Sequence, residues 1–339
     1  MRRAATLLIG LAPALAALPA ASEIDRAALI RLAPSVLKVE AVDAQGRFQL
    51  GSGVVVGAGT LVTNCHVTRR AARVSVVKGG VRWNAPAQSS DIGHDLCLLR
   101  VPGLDAAPPV AVVSSASLKV GQPLVAIGYT GGVGVQVSEG EVVALHELDA
   151  GRIIRSTNWF TSGASGGGLF TLDGALVGVL TFRLRGGAAH YFSAPADWLR
   201  ERIGDEARFV ALHPLDGSPF WERPVEHQPY FLQAASLEQG AAWEPLRELA
   251  ERWVRAAPRD AEAAYMHAVA DEGLGRDDDA RRALLRCLAL DANYVRGWER
   301  LARLHRRLGR SDDMRQAIDR LNGLDARLGS ALAAELGNP

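Results

Sequence analysis

Short hydrophobic runs separated by glycines and polar residues follow one another from about residue 34 to residue 200. Runs that are rich in Val, Ile, Leu and Thr and are bounded by turn residues predict β-strands. Many short strands at this spacing are typical of a barrel or a sandwich. We expect a short helix before them, over 24–32, and another after them, over 196–203. The predicted strands cover residues 35–41, 53–56, 60–63, 74–77, 96–101, 123–128, 141–145, 153–156, 168–171, 176–182 and 190–193.

The pattern changes after residue 204. Pro214, Pro219, Pro224 and Pro229 are too close together for a helix or a central strand, because proline lacks the N–H group that both need. We therefore predict a linker over residues 206–229. Beyond it the composition becomes helical, which predicts a second, all-α domain over residues 230–339.

The all-α region contains an internal repeat. Leu274–Gly275–Arg276 recurs as Leu308–Gly309–Arg310, 34 residues later, and Leu290–Asp291–Ala292 recurs at residues 324–326 with the same interval. A period of 34 residues is typical of the tetratricopeptide repeat, in which each unit is a helix–turn–helix. The region resembles that family. An unrelated helical bundle with one chance repetition is the alternative.

The resemblance rests on small and apolar residues at the family's spacing, with two departures. His267 and Asp271 stand where large apolar or aromatic residues are usual. About three repeats fit between residues 230 and 325. Residues 326–336 would form the solvating cap helix that such arrays require.

The N-terminal segment and the overall charge bear on where the protein acts and what it binds. Residues 1–22 begin Met1–Arg2–Arg3, continue with an apolar stretch and end in small residues. This layout predicts a cleaved secretory signal peptide and a periplasmic or secreted protein. The stretch is shorter than the roughly 20 residues that span a bilayer, so we expect no stable membrane insertion after cleavage. A formal net charge of +1 without a basic block argues against a nucleic-acid partner.

Three motifs carry the candidate chemistry, in the order His, Asp, Ser. Residues 63–67 read TNCHV, residues 94–97 read HDLC and residues 163–167 read GASGG. A serine hydroxyl is a weak nucleophile, so it needs a base such as histidine within hydrogen-bond reach. The base in turn needs a buried carboxylate that fixes its tautomer and stabilises its cation. We therefore predict that Ser165 is the nucleophile, His66 the base and Asp95 the orienting carboxylate.

The glycines around Ser165 have a mechanical purpose. The turn must point backbone N–H groups at the oxyanion that develops during attack, and glycine adopts the required φ angles freely. We predict that Gly163 and Ser165 are these two donors. His94 and Asp91 are the nearest competitors for the roles of base and carboxylate, but neither lies in the matching motif position.

The three motifs and their order resemble the chymotrypsin-like serine peptidases, and most closely the bacterial branch similar to the Deg proteases. The resemblance covers about residues 22–203 and implies two six-stranded barrels with the site in the cleft between them. It also implies that Thr181, Phe182 and Arg183 pair with the substrate backbone, and that residues 191–195 wall the specificity pocket. The departures are Gly168 in place of a proline, Cys65 in place of an asparagine, and helical repeats in place of a peptide-binding module.

The chain has three cysteines, and in an oxidising compartment two of them are expected to pair. Cys97 projects from the same strand face as Asp95, and Cys65 adjoins His66, so a Cys65–Cys97 disulfide would tie the base to its carboxylate. A zinc site of Cys65, His66, His94 and Cys97 is the rival. It is disfavoured because neighbours on an extended segment point to opposite sides. Cys287 is predicted to be a small buried hydrophobic residue.

Together these patterns predict an exported serine endopeptidase. Its domains would be a signal peptide over 1–22, an all-β double-barrel protease over 23–205, the linker and the helical repeats. It would hydrolyse peptide bonds through an acyl-enzyme on Ser165, without a metal ion or an organic cofactor, while the repeats recruit a protein partner or the substrate. The alternatives are a non-catalytic scaffold with a relic protease fold and an esterase of small substrates.

Overall fold

The structure is a computed structural model of the chain and describes residues 30–104, 107–131, 134–184 and 191–337. Residues 1–22 lie outside the described part, as does most of the helix predicted over 24–32. An all-β region is followed by an all-α region, so the predicted fold class is confirmed. No helix of the described residues is long and apolar enough to cross a membrane.

Fourteen strands, found in the described part of the chain, form two sheets, and each of the eleven predicted strands overlaps one of them. Their bounds follow: β1 (Val36–Asp43), β2 (Phe48–Gly57), β3 (Thr60–Thr63), β4 (Ala71–Lys78), β5 (Val81–Asn84), β6 (Ala87–Asp91), β7 (Leu96–Arg100), β8 (Pro123–Thr130), β9 (Gly134–Leu148), β10 (Gly151–Ser156), β11 (Gly168–Phe170), β12 (Leu176–Arg183), β13 (Tyr191–Pro195) and β14 (Val210–Ala211).

The second sheet is a closed six-stranded barrel with the order β10-β13-β12-β11-β8-β9, as the resemblance implied. Strand β12 is buried along its length except at Arg183, because it lies between two other strands of the barrel and packs inside it. Side chains such as Ile154 and Leu169 are fully buried in the core of this barrel, while Phe170 is fully buried in a second core that also includes Val36 and Val54 of the first sheet. Each such side chain contributes about 1.5 to 3 kcal/mol to folding, so the barrel is a firm platform for the loop that carries Ser165.

The first sheet differs from the six-stranded barrel that the resemblance implied. It has eight strands in the order β14-β6-β7-β3-β2-β1-β4-β5, and the described residues do not close it. Pro86 separates β5 from β6 and has no N–H to donate, while Ala85 N–H donates to Val74 O and turns the chain away. At the other edge β14 pairs with β6, Val210 opposite Gln88.

Seven helices follow the sheets, after a single helical turn α1 (Cys65–Thr68) within the first sheet region. The second members of the helix pairs begin at Trp243, Asp277 and Ser311, which reproduces the 34-residue interval of the sequence. The bounds are α2 (Tyr230–Gln239), α3 (Trp243–Ala256), α4 (Ala261–Gly273), α5 (Asp277–Leu290), α6 (Val295–Arg307), α7 (Ser311–Leu324) and α8 (Ala326–Leu336).

The repeated Leu-Gly-Arg phrase is the turn between the two helices of a pair. Gly275 has a φ of 72° and Gly309 a φ of 69°, a conformation that ends helices and that glycine adopts without a steric penalty. Helix α8 occupies the span predicted for a cap. The helix predicted over 196–203 is shorter than expected, since only Ala196–Leu199 forms a 3-10 turn.

The helical region packs directly on the second barrel. Phe231 of α2 stacks on His146 of β9 with ring centroids 4.4 Å apart, and Glu262 of α4 pairs with the same histidine at 2.8 Å. His146 and Glu262 are both buried, and the barrel residues Ile153 and Phe192 belong to the same hydrophobic core as the helices. One surface of the helical array is therefore already covered by the second barrel.

The segment predicted as a linker, residues 206–229, packs across the first sheet. Besides the pairing of β14, Leu215 N–H donates to Arg69 O, and Phe220 N–H donates to Gly93 O at 3.0 Å. Phe220 is buried. The segment thus passes between the motif that carries His66 and the motif that carries Asp95 before it enters the helices.

Candidate active site

His66 and Asp95 form a preorganised pair. His66 lies in α1 directly after β3, and Asp95 directly precedes β7, the strand that pairs with β3. The His66 backbone N–H donates to Asp95 Oδ1 at 2.8 Å, and His66 Nδ1 lies 2.6 Å from Asp95 Oδ2. An ionised carboxylate only accepts hydrogen bonds, so Nδ1 carries the proton and Nε2 is left as the basic nitrogen.

The backbone around Asp95 aims its carboxylate at the histidine. Asp95 has a φ of 63°, which lies in the left-handed region that few residues other than glycine adopt. Its carbonyl oxygen accepts hydrogen bonds from Cys65 N–H at 3.2 Å and from Asn64 Nδ2 at 2.9 Å, and its side chain is fully buried. The conformation is therefore held from the His66 segment itself.

A disulfide joins Cys65 to Cys97, with the two Cα atoms 4.9 Å apart. It joins the start of α1 to β7, two residues beyond the point where Thr63 of β3 stands opposite Cys97. Both sulfur atoms that the rival zinc site would need are engaged in this bond. Within the described residues no group of three or more His, Cys, Asp or Glu side chains could hold a metal ion.

The competing pair His94 and Asp91 is engaged elsewhere. His94 Nδ1 lies 3.0 Å from Asp91 Oδ2, and His94 Nε2 lies 3.1 Å from Asp149 Oδ2 on the second barrel. Its ring stacks on Trp198 with centroids 3.9 Å apart. Burial lowers the pKa of His94, but the hydrogen bonds and charges of the two carboxylates outweigh it and leave that pKa raised. His94 thus bridges the two β units and does not take the role of base.

Ser165 lies in the loop between β10 and β11. Its Oγ donates a long hydrogen bond of 3.4 Å to Thr181 O, and among the described residues it forms no hydrogen bond with His66. Catalytic hydrogen bonds are often long or absent in ligand-free sites and tighten when substrate binds. The structure therefore brings base and carboxylate together and leaves the bond from nucleophile to base unmade.

The backbone of this loop presents two N–H groups without a partner. Gly163 has a φ of 98°, and neither Gly163 N–H nor Ser165 N–H donates a hydrogen bond within the described residues. Gly166 has a φ of 86°, and a Cβ there would overlap the Ser52 carbonyl oxygen and the Thr63 hydroxyl. The loop therefore needs this glycine, and the two free N–H groups match the predicted oxyanion donors.

Ser52 connects this loop to the first sheet, a role that the sequence did not reveal. Its Oγ donates to Gly163 O at 2.8 Å and accepts from Tyr129 N–H at 2.7 Å. Its backbone N–H donates to Ser165 O at 2.7 Å, and Thr63 Oγ1 donates to its carbonyl oxygen. One buried residue of β2 thus contacts both ends of the segment that carries the predicted donors.

The predicted substrate strand lies beside the serine. Strand β12 pairs with β13 on one edge, while on its other edge the contacts to the serine loop end at Leu180. Thr181 is buried and its hydroxyl donates to Val179 O, whereas Arg183 is exposed at the end of the strand. Thr181 O accepts from Ser165, so the open edge of residues 181–183 begins at the nucleophile.

Phe182 does not project freely into the cleft. Its ring lies between Phe192, with centroids 4.8 Å apart and planes 4° apart, and Trp221, with centroids 5.2 Å apart and planes 15° apart. Trp221 comes from the predicted linker, and its indole Nε1–H donates to Asp95 Oδ2 at 3.1 Å. The same ring meets His66 edge to face at 5.4 Å. No motif spacing indicated this tryptophan, which stands in a proline-rich segment.

Part of the chain is similar to known proteins. Residues 51–179, which include His66, Asp95 and Ser165, match the family profile described as Trypsin-like peptidase domain. The chain is 32% identical over 146 residues to a probable periplasmic serine endoprotease DegP-like of Buchnera aphidicola, which covers 40% of this chain and 31% of that protein. It is 31% identical over 162 residues to the periplasmic pH-dependent serine endoprotease DegQ of Escherichia coli, over 44% of this chain and 36% of that protein.

The chain thus spans about a third of the length of these curated relatives. Among solved structures, the Rv3671c protease from M. tuberculosis in its active form aligns with a TM-score of 0.50 and 24% identity, over 64% of this chain and 99% of that one. This likeness supports the fold. Residues 51–179 are therefore similar to a trypsin-like peptidase domain, and this part of the chain resembles the DegP-type serine proteases; a helical region follows it.

Proposed function

We propose that the protein is an exported serine endopeptidase that cleaves peptide bonds through an acyl-enzyme on Ser165. The observation that carries this proposal is the His66–Asp95 pair, which leaves His66 Nε2 as a base. The serine loop supports it, since Gly163 N–H and Ser165 N–H donate no hydrogen bond within the described residues. Both relatives named above are serine endoproteases, and both are called periplasmic. A predicted signal peptide over residues 1–22 supports export.

The mechanism follows from these groups. Ser165 Oγ attacks the carbonyl carbon of the substrate while His66 Nε2 takes its proton, and Asp95 stabilises the imidazolium that results. Gly163 N–H and Ser165 N–H bind the oxyanion of the tetrahedral intermediate. The intermediate expels the amine, which receives the proton from His66, and a water molecule then hydrolyses the acyl-enzyme by the same route. Each oxyanion donor contributes about 3 to 4 kcal/mol to the transition state.

Substrate would lie along the open edge of β12. Among the described residues, 181–183 have no strand partner on that edge, so an extended peptide could add to it and present its scissile carbonyl to Ser165. The neighbouring strand β13, residues 191–195, walls the specificity pocket in this proposal. A peptide chain satisfies an exposed strand edge, which favours an endopeptidase over an esterase of small substrates.

A serine-reactive phosphonate probe tests the proposal. We expect the wild-type protein to gain one phosphonate on Ser165, as measured by intact mass and peptide mapping, and the Ser165→Ala variant to gain none. His66→Ala should label at least 100-fold more slowly, because the base is lost. A folded wild-type protein that stays unlabelled while a known serine protease reacts would favour the scaffold alternative.

We further propose that the helical repeats recruit a protein partner or the substrate. The 34-residue helix pairs support this role, since stacked helix pairs build extended binding surfaces. The surface of α2 and α4 that packs on the barrel is excluded, so recruitment would use the opposite side. There a groove of about 220 Å³ is lined by α3, α4 and α5 and carries Arg282 and Arg286.

Charge reversal in that groove separates recruitment from catalysis. If the groove binds protein substrate, Arg282→Glu with Arg286→Glu should raise KM for casein several-fold and leave the rate of phosphonate labelling unchanged. The matched control reverses two exposed arginines of the first sheet, Arg73→Glu with Arg82→Glu. Equal casein kinetics in both double variants and the wild type would contradict recruitment by this groove.

A further inference from the structure

We propose that Trp221 is a positioning residue of this active site and a wall of its substrate cleft. The indole N–H holds Asp95 Oδ2 against His66, and the ring closes the space between His66 and Phe182. The proposal rests on the proposed function. It assigns a part of the site to the segment between the protease unit and the helices, outside the three motifs.

The hydrogen bonds of the buried carboxylate carry the first step. Asp95 is fully buried, and a buried carboxylate stays ionised only when hydrogen bonds or charges compensate for the lost water. Among the described residues, its oxygens accept from the His66 backbone, from the His66 ring and from Trp221. Trp221 is therefore the one donor, within that part of the chain, that holds the carboxylate from outside the histidine.

The segment around Trp221 is anchored to both catalytic motifs, so the indole is not a loosely placed surface group. Phe220 N–H donates to Gly93 O, two residues before Asp95. Glu222 forms a two-point ion pair of 2.5 and 3.1 Å with Arg69, three residues after His66. The residues on either side of Trp221 thus contact the aspartate turn and the histidine helix.

The position of the ring carries the second step. Trp221 stacks on Phe182 and meets His66 edge to face, with centroid distances of 5.2 and 5.4 Å. A substrate that pairs with residues 181–183 would place one particular side chain in this space. It is the side chain of the residue that precedes the one whose carbonyl Ser165 attacks. The ring fills part of that space, so we infer that the cleft prefers a small side chain there.

Three variants and two peptidyl phosphonates test the proposal. The probes are dipeptidyl diphenyl phosphonates with the same reactive residue and with Ala or Leu before it. Trp221→Phe keeps an aromatic ring and removes the indole N–H group, and Trp221→Ala removes both. Trp298→Phe is the control, because it removes an indole hydrogen bond of 2.8 Å in the helical region. The maximal inactivation rate reports on Ser165 attack, and the half-saturating probe concentration reports on cleft binding.

We expect Trp221→Phe to lower the maximal inactivation rate about tenfold, since a hydrogen bond to a charged group is lost, and to leave the half-saturating concentration within twofold. Trp221→Ala should show the same loss and also abolish the preference for Ala over Leu. Trp298→Phe should behave like the wild type. Titration of the labelled fraction separates these changes from partial unfolding.

The possible failures are distinct. A wild-type protein that does not react with either probe overturns both the proposed function and this proposal. If the wild type reacts and Trp221→Phe has a maximal inactivation rate and a half-saturating concentration within twofold of it, only the positioning role is overturned. If Trp221→Ala does not fold, Trp221→Phe, which keeps an aromatic side chain at the position, still decides that role. An unchanged Ala-to-Leu ratio in a folded Trp221→Ala variant overturns the wall.

Discussion

The two halves of the proposed site are held in different ways. On the side of the base, His66 and Asp95 share two hydrogen bonds, and a disulfide joins Cys65, next to His66 in α1, to Cys97 of β7, two residues after Asp95. On the side of the nucleophile, Ser165 Oγ has one long hydrogen bond, and Gly163 N–H and Ser165 N–H have none within the described residues. In the proposed mechanism, the hydrogen bonds that orient His66 are thus formed before substrate binds. The hydrogen-bond donors of the serine loop remain available to the substrate.

The two halves meet through a small number of residues. Ser52 links the first sheet to the serine loop, and His94 links Asp91 of the first sheet to Asp149 of the second barrel. If the two halves differ in this way, changes in the half that contains His66 and Asp95 should strongly reduce catalysis or stability. Changes in the linking residues should weaken catalysis or stability by smaller amounts.

The largest effect is expected from Asp95→Asn. An amide in place of the carboxylate cannot stabilise the imidazolium and favours the wrong tautomer of His66, so the rate of phosphonate labelling should fall about 10³- to 10⁴-fold. Circular dichroism should confirm that the variant is folded. A folded variant that labels within tenfold of the wild type would show that the base half is not preorganised by this carboxylate.

The disulfide should contribute the next largest effect, on stability. It closes a loop with a sequence separation of 32 residues, so Cys65→Ala with Cys97→Ala should lower the free energy of unfolding by about 3 kcal/mol in urea titrations. Cys287→Ala is the matched control, because it removes a buried thiol and leaves the bond intact.

Thiol counting provides an independent check of that bond. The denatured, unreduced protein from an oxidising compartment should show a single reactive thiol, that of Cys287. In the native protein burial raises the pKa of this thiol to about 12, so it should react slowly at neutral pH. Three reactive thiols in the denatured protein would mean that the base half lacks its covalent brace.

Ser52→Ala tests the link between the halves. The variant loses the hydroxyl that holds Gly163 O and leaves Tyr129 N–H without its acceptor, so the oxyanion donors should be less well placed. We expect the maximal rate of phosphonate labelling to fall about tenfold, while the half-saturating probe concentration changes little. Ser75→Ala, a buried serine on β4, is the matched control and should label like the wild type. Equal rates for both variants would mean that the loop holds its own conformation.

The sequence predicted the parts that depend on local pattern. Strands such as β3 and β8 are short apolar runs between turns. The order of the three motifs along the chain does not depend on the conformation of the loops between them. Strands β5 and β6 escaped prediction because they read VRWN and AQSSD, which carry no apolar run. Pairing with neighbouring strands stabilises them instead: β5 pairs with β4, and β6 pairs with β7 and β14.

Contacts between distant segments could not be predicted. Ser52 lies between two glycines in the sequence, but that pattern does not indicate that its hydroxyl donates to Gly163 O, 111 residues away. Trp221 reaches Asp95 over 126 residues from a segment whose prolines indicated a linker. Those prolines exclude a regular helix. They do not prevent the extended segment from packing on the first sheet region, because N–H groups of other residues in the segment donate to carbonyl oxygens there.

His94 should give the smallest effect, and the size of this effect depends on pH. The pKa of His94 is raised in the folded state: burial lowers it, but the hydrogen bonds and charges of Asp91 and Asp149 outweigh that effect. Arg202, which also contacts Asp91, adds a nearby positive charge. A raised pKa means that protonated His94 stabilises the fold fully below the ordinary histidine pKa of about 6.5, and that this stabilisation is lost as the pH rises through the folded-state pKa.

Wild type and His94→Gln should therefore differ in free energy of unfolding by about 1 kcal/mol near pH 5.5, since the pair with Asp149 is partly exposed and screened by solvent. The difference should shrink steadily as the pH rises to 8.5. Urea titrations across this range measure it, with His227→Gln, an exposed histidine of the connecting segment, as the control. A difference that is constant with pH would mean that His94 joins the two β units by stacking on Trp198 and not by its charge.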